Sequence, residues 1–114
     1  MKAIQITILL ALIHLNVFGF GQDQKNTEYN ILVLHSYHQG LEWTDSITSG
    51  ILNVFDNRSD INLVFEYLDA KRNYNEEYKL ALKNIYRVKA KQIPFKAIIT
   101  SDNAAYDFLQ ENGE

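Results

Sequence analysis

Three times along the chain a short apolar run leads into polar, turn-like residues and then into a stretch with helical spacing. This alternation restricts the fold more than any other feature. Strands alternating with helices predict βαβ units, a parallel sheet and right-handed crossovers. The first run, Tyr29 to Ser36, has the continuous apolar centre Ile31-Leu32-Val33-Leu34, which suits a strand covered on both faces. Ser36-Tyr37-His38-Gln39-Gly40 then reads as a turn. A helix is expected from about Thr44 to Phe55, with Trp43, Ile47, Ile51, Val54 and Phe55 on one face and Asp45 in its first turn.

The second run, Ile61 to Leu68, is rich in β-branched and aromatic residues. It leads through Asp69-Ala70-Lys71-Arg72 to a longer helix over about Asn75 to Ala90. Asn75 is the expected N-cap, and Tyr74, Tyr78, Leu82, Ile85 and Val88 form the expected apolar stripe. The third run, Phe95 to Ser101, follows Pro94, a tolerated place for proline at a strand start. Asp102 is the expected cap of a last helix that buries Ala104, Ala105, Phe108 and Leu109, with Gly113 as its C-prime residue.

Before these units, Lys2 precedes a stretch from Ala3 to Gly21 without a charge, dominated by Ile, Leu, Val and Phe. Gly19 and Gly21 are the small residues of a cleavage site before Gln22. Residues 1–21 are expected to be a secretory signal peptide; an uncleaved membrane anchor is the alternative, weakened by Gln5, His14 and Asn16. Either places the remainder outside the cytoplasmic membrane. Residues 22–28 are polar and aperiodic, a flexible lead-in. Residues 29–114 hold the three βα units. Three parallel strands leave two unpaired edges, so these units are expected to open a longer protein.

A net charge of -3 argues against a nucleic-acid partner, which needs clustered Lys and Arg. The absence of cysteine removes disulfides, thiolate metal sites and cysteine nucleophiles. His35 and His38 lack a third metal ligand nearby, and no metal or cofactor is expected. No Gly-rich phosphate loop or Gly-x-Ser-x-Gly elbow is present.

In an open parallel sheet, ligands bind beyond the carboxyl ends of the strands. The loops expected there are the most polar parts of the chain. Ser36, Tyr37, His38 and Trp43 offer hydroxyl, imidazole and indole groups suited to a small polar ligand; Tyr37 and Trp43 could equally be packing residues. Asp69 and Lys71 could reach a ligand or pair with each other. Ser101, Asp102 and Asn103 stand where a strand feeds a helix N-terminus, with an anion site or a simple Asp102 cap as alternatives.

The stretch Ile31-Leu32-Val33-Leu34-His35-Ser36-Tyr37-His38-Gln39-Gly40-Leu41-Glu42-Trp43-Thr44-Asp45-Ser46-Ile47 resembles the start of the ABC-transporter substrate-binding-protein-like family. Gly50-Ile51, Glu66-Tyr67-Leu68-Asp69-Ala70-Lys71-Arg72 and Ala97-Ile98-Ile99-Thr100-Ser101-Asp102-Asn103-Ala104-Ala105 are similar to its later segments, with Asn103 where the family commonly has Asp. The resemblance covers residues 29 to 112. It implies a three-layer Rossmann-like parallel sheet, the first half of a type I periplasmic-binding-protein lobe that needs a missing C-terminal lobe to close on its ligand. The wording from His35 to Asp45 looks more like the extracytoplasmic sensor domains of hybrid histidine kinases in two-component systems, joined to the membrane and able to form homodimers. The solute-binding protein of an ABC transporter is the alternative. A small secreted hydrolase using Ser36 and His38 is a remote one.

Overall fold

The computed structural model describes residues 29–113. The expected signal segment and lead-in lie outside the described residues. The order is β1 (Tyr29–His35), α1 (Glu42–Phe55), β2 (Ile61–Tyr67), α2 (Glu76–Gln92), β3 (Phe95–Ser101) and α3 (Asn103–Asn112). The three strands form one parallel sheet in the order β2-β1-β3. The chain is therefore an α/β protein with a partial Rossmann-like sheet.

The strand order dictates the layering. The chain steps from β1 to β2 in one direction, then returns across β1 to β3. Right-handed crossovers put the helices of two opposite steps on opposite faces. Side chains of β1 alternate accordingly. Leu34 packs with Leu68, Leu82, Ala105 and Phe108, and with half-buried Leu32, Tyr74, Tyr78 and Tyr86, under α2 and α3. Val33 and His35 face the other way, towards α1, where His35 meets Thr48. Among the described residues, no helix is long and apolar enough to cross a membrane.

The helix faces differ in detail from the spacing argument. α1 begins at Glu42 rather than Thr44, and Leu41 supplies no side-chain cap. Instead Asp45 in the first turn reaches back to the Gly40 N–H at 3.0 Å. Thr44 is buried, while Trp43 and Val54 are 60% and 75% exposed. A helix of this length covers only β1 and one neighbour, so its inward stripe narrows to Thr44, Ile47, Thr48, Ile51 and Phe55. In α2, Asn75 caps the Tyr78 N–H as expected. Its inward face is Tyr78, Leu82 and Tyr86, which continue in i+4 steps from Tyr74 before the cap, and Ile85 and Val88 stay exposed. Tyr86 wins that place because its ring packs edge-on against Phe108 while its hydroxyl donates to the Tyr67 carbonyl. In α3, Ala105 and Phe108 are buried and Ala104 and Leu109 half-buried, as expected. Gly113 ends α3 at φ -87, outside the left-handed region. Glycine is needed there for a different reason: a Cβ would stand 2.5 Å from the Leu109 carbonyl oxygen.

Candidate functional site

β1 lies between β2 and β3, and α1 and α3 leave the sheet on opposite faces. The carboxyl ends of β1 and β3 are thus a topological switch point, the place where an open α/β sheet leaves a crevice. Backbone bonds draw the three following loops together there. The Leu68 N–H donates to the His35 carbonyl and the Ala70 N–H to the Ser36 carbonyl, both at 2.8 Å, while the Ser36 N–H donates to the Ser101 carbonyl at 3.2 Å. Asp69 lies between the two bonds from the second loop and has φ 55, a left-handed conformation that Asp tolerates better than most residues. Asp102 has φ 72 and ψ 167, a region favourable almost only for glycine. Two strained residues at one rim is the pattern of a site whose side chains must face a fixed direction.

Tyr37, Lys71 and Asp102, one from each loop, meet at this rim. The Lys71 ammonium stands 4.7 Å from the Tyr37 ring centroid. Burial, and then the neighbouring Asp102 carboxylate, push the Tyr37 phenol above its ordinary value. The phenol therefore stays protonated and donates towards Asp102. Next to them, His38 Nδ1 lies 3.5 Å from an Asp69 carboxylate oxygen, yet has no hydrogen-bond partner among the described residues. Asp69 is instead committed to Arg72 at 2.6 Å and Asn73 at 3.3 Å. The Arg72 hydrogen bond holds its carboxyl below the usual range, against the opposing effect of desolvation. Arg72 and Asn73 are the partners that spacing alone did not single out; the Asp-x-x-Arg step inside a loop was the available signal.

The remaining expected residues have other roles. Ser36 is fully buried. Its hydroxyl donates to the Ser101 carbonyl at 2.7 Å and accepts the Ala105 N–H at 2.8 Å. With its one proton used, it is a structural tie beneath the rim. Ser101 Oγ pairs with His35 Nδ1 at 2.8 Å and is likewise engaged. Asn103 is exposed, and its N–H donates to the Asp102 carboxylate at 2.9 Å. Asp102 thus caps the start of α3. Trp43 is exposed on the first turn of α1, with no ring contact or hydrogen bond to the rim among the described residues.

The rim is an open ledge rather than an enclosed cavity. A shallow groove of about 590 Å³ lies at the other end, lined by Leu52, Phe55, Arg58, Leu63 and Phe65 among others. It follows from α1 leaving part of β2 uncovered, and two of its polar side chains are paired: Arg58 holds Asp60 at 2.7 Å and Asn62 donates to Asn30 at 3.0 Å. No family model matches the chain, and no curated protein or solved structure matches it.

Proposed function

We propose that this chain is the opening part of an extracytoplasmic small-ligand-binding domain of the ABC-transporter substrate-binding-protein-like kind. In this reading it is the N-terminal portion of a membrane-bound hybrid sensor histidine kinase, and the rim is half of its pocket. One observation carries the proposal: Tyr37, Lys71 and Asp102, from three separate loops, converge at the β1–β3 switch point. A protonated phenol beside a carboxylate, and an ammonium with no carboxylate partner among the described residues, suit a small polar solute. A second lobe would cover the open side, and its closure on the solute would shift a signalling equilibrium. The sequence-level resemblance supports the same reading. The hydrolase alternative loses support, because the Ser36 hydroxyl is buried and bonded on both sides.

The test is calorimetry of the protein extended through the proposed second lobe against amino acids, sugars, nucleobases and small carboxylates. Binding by one class is expected, weakened about tenfold or more by Tyr37→Ala and by Lys71→Ala, a loss of about 1.4 kcal/mol. Silence across the panel, or binding that ignores both substitutions and maps to the opposite groove, would overturn it. The coding sequence downstream separates sensor from transporter receptor: a transmembrane helix with a kinase core, or a stop after a second lobe.

A further inference from the structure

β2 is an outer strand of the sheet, and the proposed pocket does not use its free edge. The Tyr29 N–H donates to the Asp60 carbonyl at 3.0 Å, and the Leu68 N–H to the His35 carbonyl at 2.8 Å. Even-numbered positions of β2 therefore turn their backbone groups towards β1, while Ile61, Leu63, Phe65 and Tyr67 turn theirs to the open side. The Ile61 N–H is taken by the Arg58 carbonyl at 3.3 Å, and the Tyr67 carbonyl receives the Tyr86 hydroxyl at 3.2 Å. On that side the N–H and carbonyl groups of Leu63 and Phe65 have no partner among the described residues.

A bare edge invites pairing, and folded chains blunt such edges with lysine, proline or a bulge. β3, the other outer strand, carries all three. Pro94 precedes it, and Lys96 sits in a bulge where the pairing with β1 steps from Phe95 to Ala97. β2 carries none of them. Its register against β1 is unbroken, and its one charge, Glu66, is held by Lys89 of α2. Apolar side chains flank the edge on both faces. On the α1 face lies the groove of Leu52, Phe55, Leu63 and Phe65. On the α2 face, Ile85 is one turn before Lys89 and is 49% exposed.

We propose that this edge is a self-association surface: β2 pairs antiparallel with β2 of a second copy about a two-fold axis at Val64, joining two three-stranded sheets into one. A two-fold contact closes on itself and makes the paired strands antiparallel. The free groups set the register. With the axis at Val64, Leu63 of each copy lies opposite Phe65 of the other, and the two exchange both backbone bonds. The Tyr67 N–H of each copy meets the Ile61 carbonyl of the other, the end groups that have no other use. All seven residues of β2 then lie opposite β2 of the second copy. Charge selects the same register. Glu66 stands opposite Asn62, whose amide gives one hydrogen to Asn30 and keeps a second for the carboxylate. An axis at Leu63 would set Glu66 against Asp60, a like-charge pair that repels. An axis at Phe65 would leave Ile61 and Asn62 beyond the end of the other strand. On the α1 face, Ile61, Leu63, Phe65 and Tyr67 of both copies make one apolar surface, and the two grooves meet over it.

Light scattering on the protein extended through the proposed second lobe reads the assembly. A dimer is expected at about 100 µM protein, and a monomer there would overturn the proposal. The Leu63 and Phe65 amides should gain about tenfold or more protection from exchange between about 1 µM and 100 µM. Protection already complete at the lower concentration would mean that another segment covers the edge, and would also overturn it. Residues 1–114 hold no cysteine, so introduced ones report the register. In Val64→Cys the axis brings two Cα atoms to about 4.5 Å, within disulfide reach, and oxidation should link the copies. Asn62→Cys and Glu66→Cys should link when mixed and not singly. A link through Asn62→Cys alone, or none through Val64→Cys, would refute the register. Leu63→Pro removes only the outward N–H and should give a monomer with solute binding unchanged. Val64→Lys, which sets two ammonium groups face to face, serves if that variant does not fold, and should weaken the dimer about tenfold or more, about 1.4 kcal/mol. A dimer that survives either folded variant would count against the edge. A Val64-linked dimer that binds no solute of the panel would sink the pocket reading and leave the edge standing; a monomer that binds one would do the reverse.

Discussion

Ser36→Ala is the sharpest single test of how the rim is built. The substitution removes one oxygen from a fully buried site and leaves almost the same volume. It deletes the 2.7 Å bond to the Ser101 carbonyl and the 2.8 Å bond from the Ala105 N–H. The Ser101 carbonyl retains the Ser36 N–H at 3.2 Å, so its loss is about 1 kcal/mol. The Ala105 N–H is at a helix start with no intrahelical partner, and leaving it buried and unpaired costs about 1–2 kcal/mol. The sum is about 2–3 kcal/mol. A domain of this size has about 4–12 kcal/mol of stability in total, so the change is a large fraction. With a urea slope of about 1 kcal/mol/M, the unfolding midpoint should fall by about 2–3 M. Native-state hydrogen exchange gives the local readout. Protection of the Ala105 amide should drop about 30- to 150-fold. Ser49→Ala, which removes only an exposed back-bond to Asp45, is the control and should cost under about 0.5 kcal/mol. A midpoint shift below about 0.3 M in Ser36→Ala, or an Ala105 amide as protected as before, would refute the reasoning.

Three further outcomes follow from the same geometry. Asp102→Gly should be about 1–2 kcal/mol more stable than Asp102→Ala by urea unfolding, since only glycine accepts φ 72 with ψ 167 without strain; equal stabilities would contradict the strained backbone. Lys71→Ala should cost under about 1 kcal/mol of stability, because an exposed cation over a ring contributes little, so a larger loss would mark Lys71 as structural rather than free for a ligand. Stability should fall on acidification in two windows. Burial holds the His35 imidazole below its ordinary value, so the folded state binds fewer protons; that stability is complete above about pH 6.5 and is lost as pH falls through the lowered folded value. The Arg72 hydrogen bond holds the Asp69 carboxyl low, which adds a second loss below about pH 4. Urea midpoints that do not change between pH 7.5 and 5.5 would contradict the first window.

The strands and helices were readable from residue order because each depends on local chemistry. β1 is legible in Ile31-Leu32-Val33-Leu34, since a run apolar on both sides can only be covered twice. α2 is legible in its Asn75 cap and the i+4 spacing of Tyr74, Tyr78 and Leu82. The polar rim was legible too, because turns after strands collect side chains that the core excludes.

What residue order left open were choices made by neighbours distant in sequence. Tyr86 rather than Ile85 or Val88 faces inward because Phe108 and the Tyr67 carbonyl receive it. Trp43 stays in water because α1 spans only part of a narrow sheet. Ser36 and Ser101 look like free hydroxyls until folding brings Ala105 and His35 against them, across 69 and 66 residues of chain. The order β2-β1-β3 brought three polar loops to one rim. Sequence fixes a side chain's chemistry and its local face, but the partner that satisfies or frees it is assigned only when the sheet closes around it.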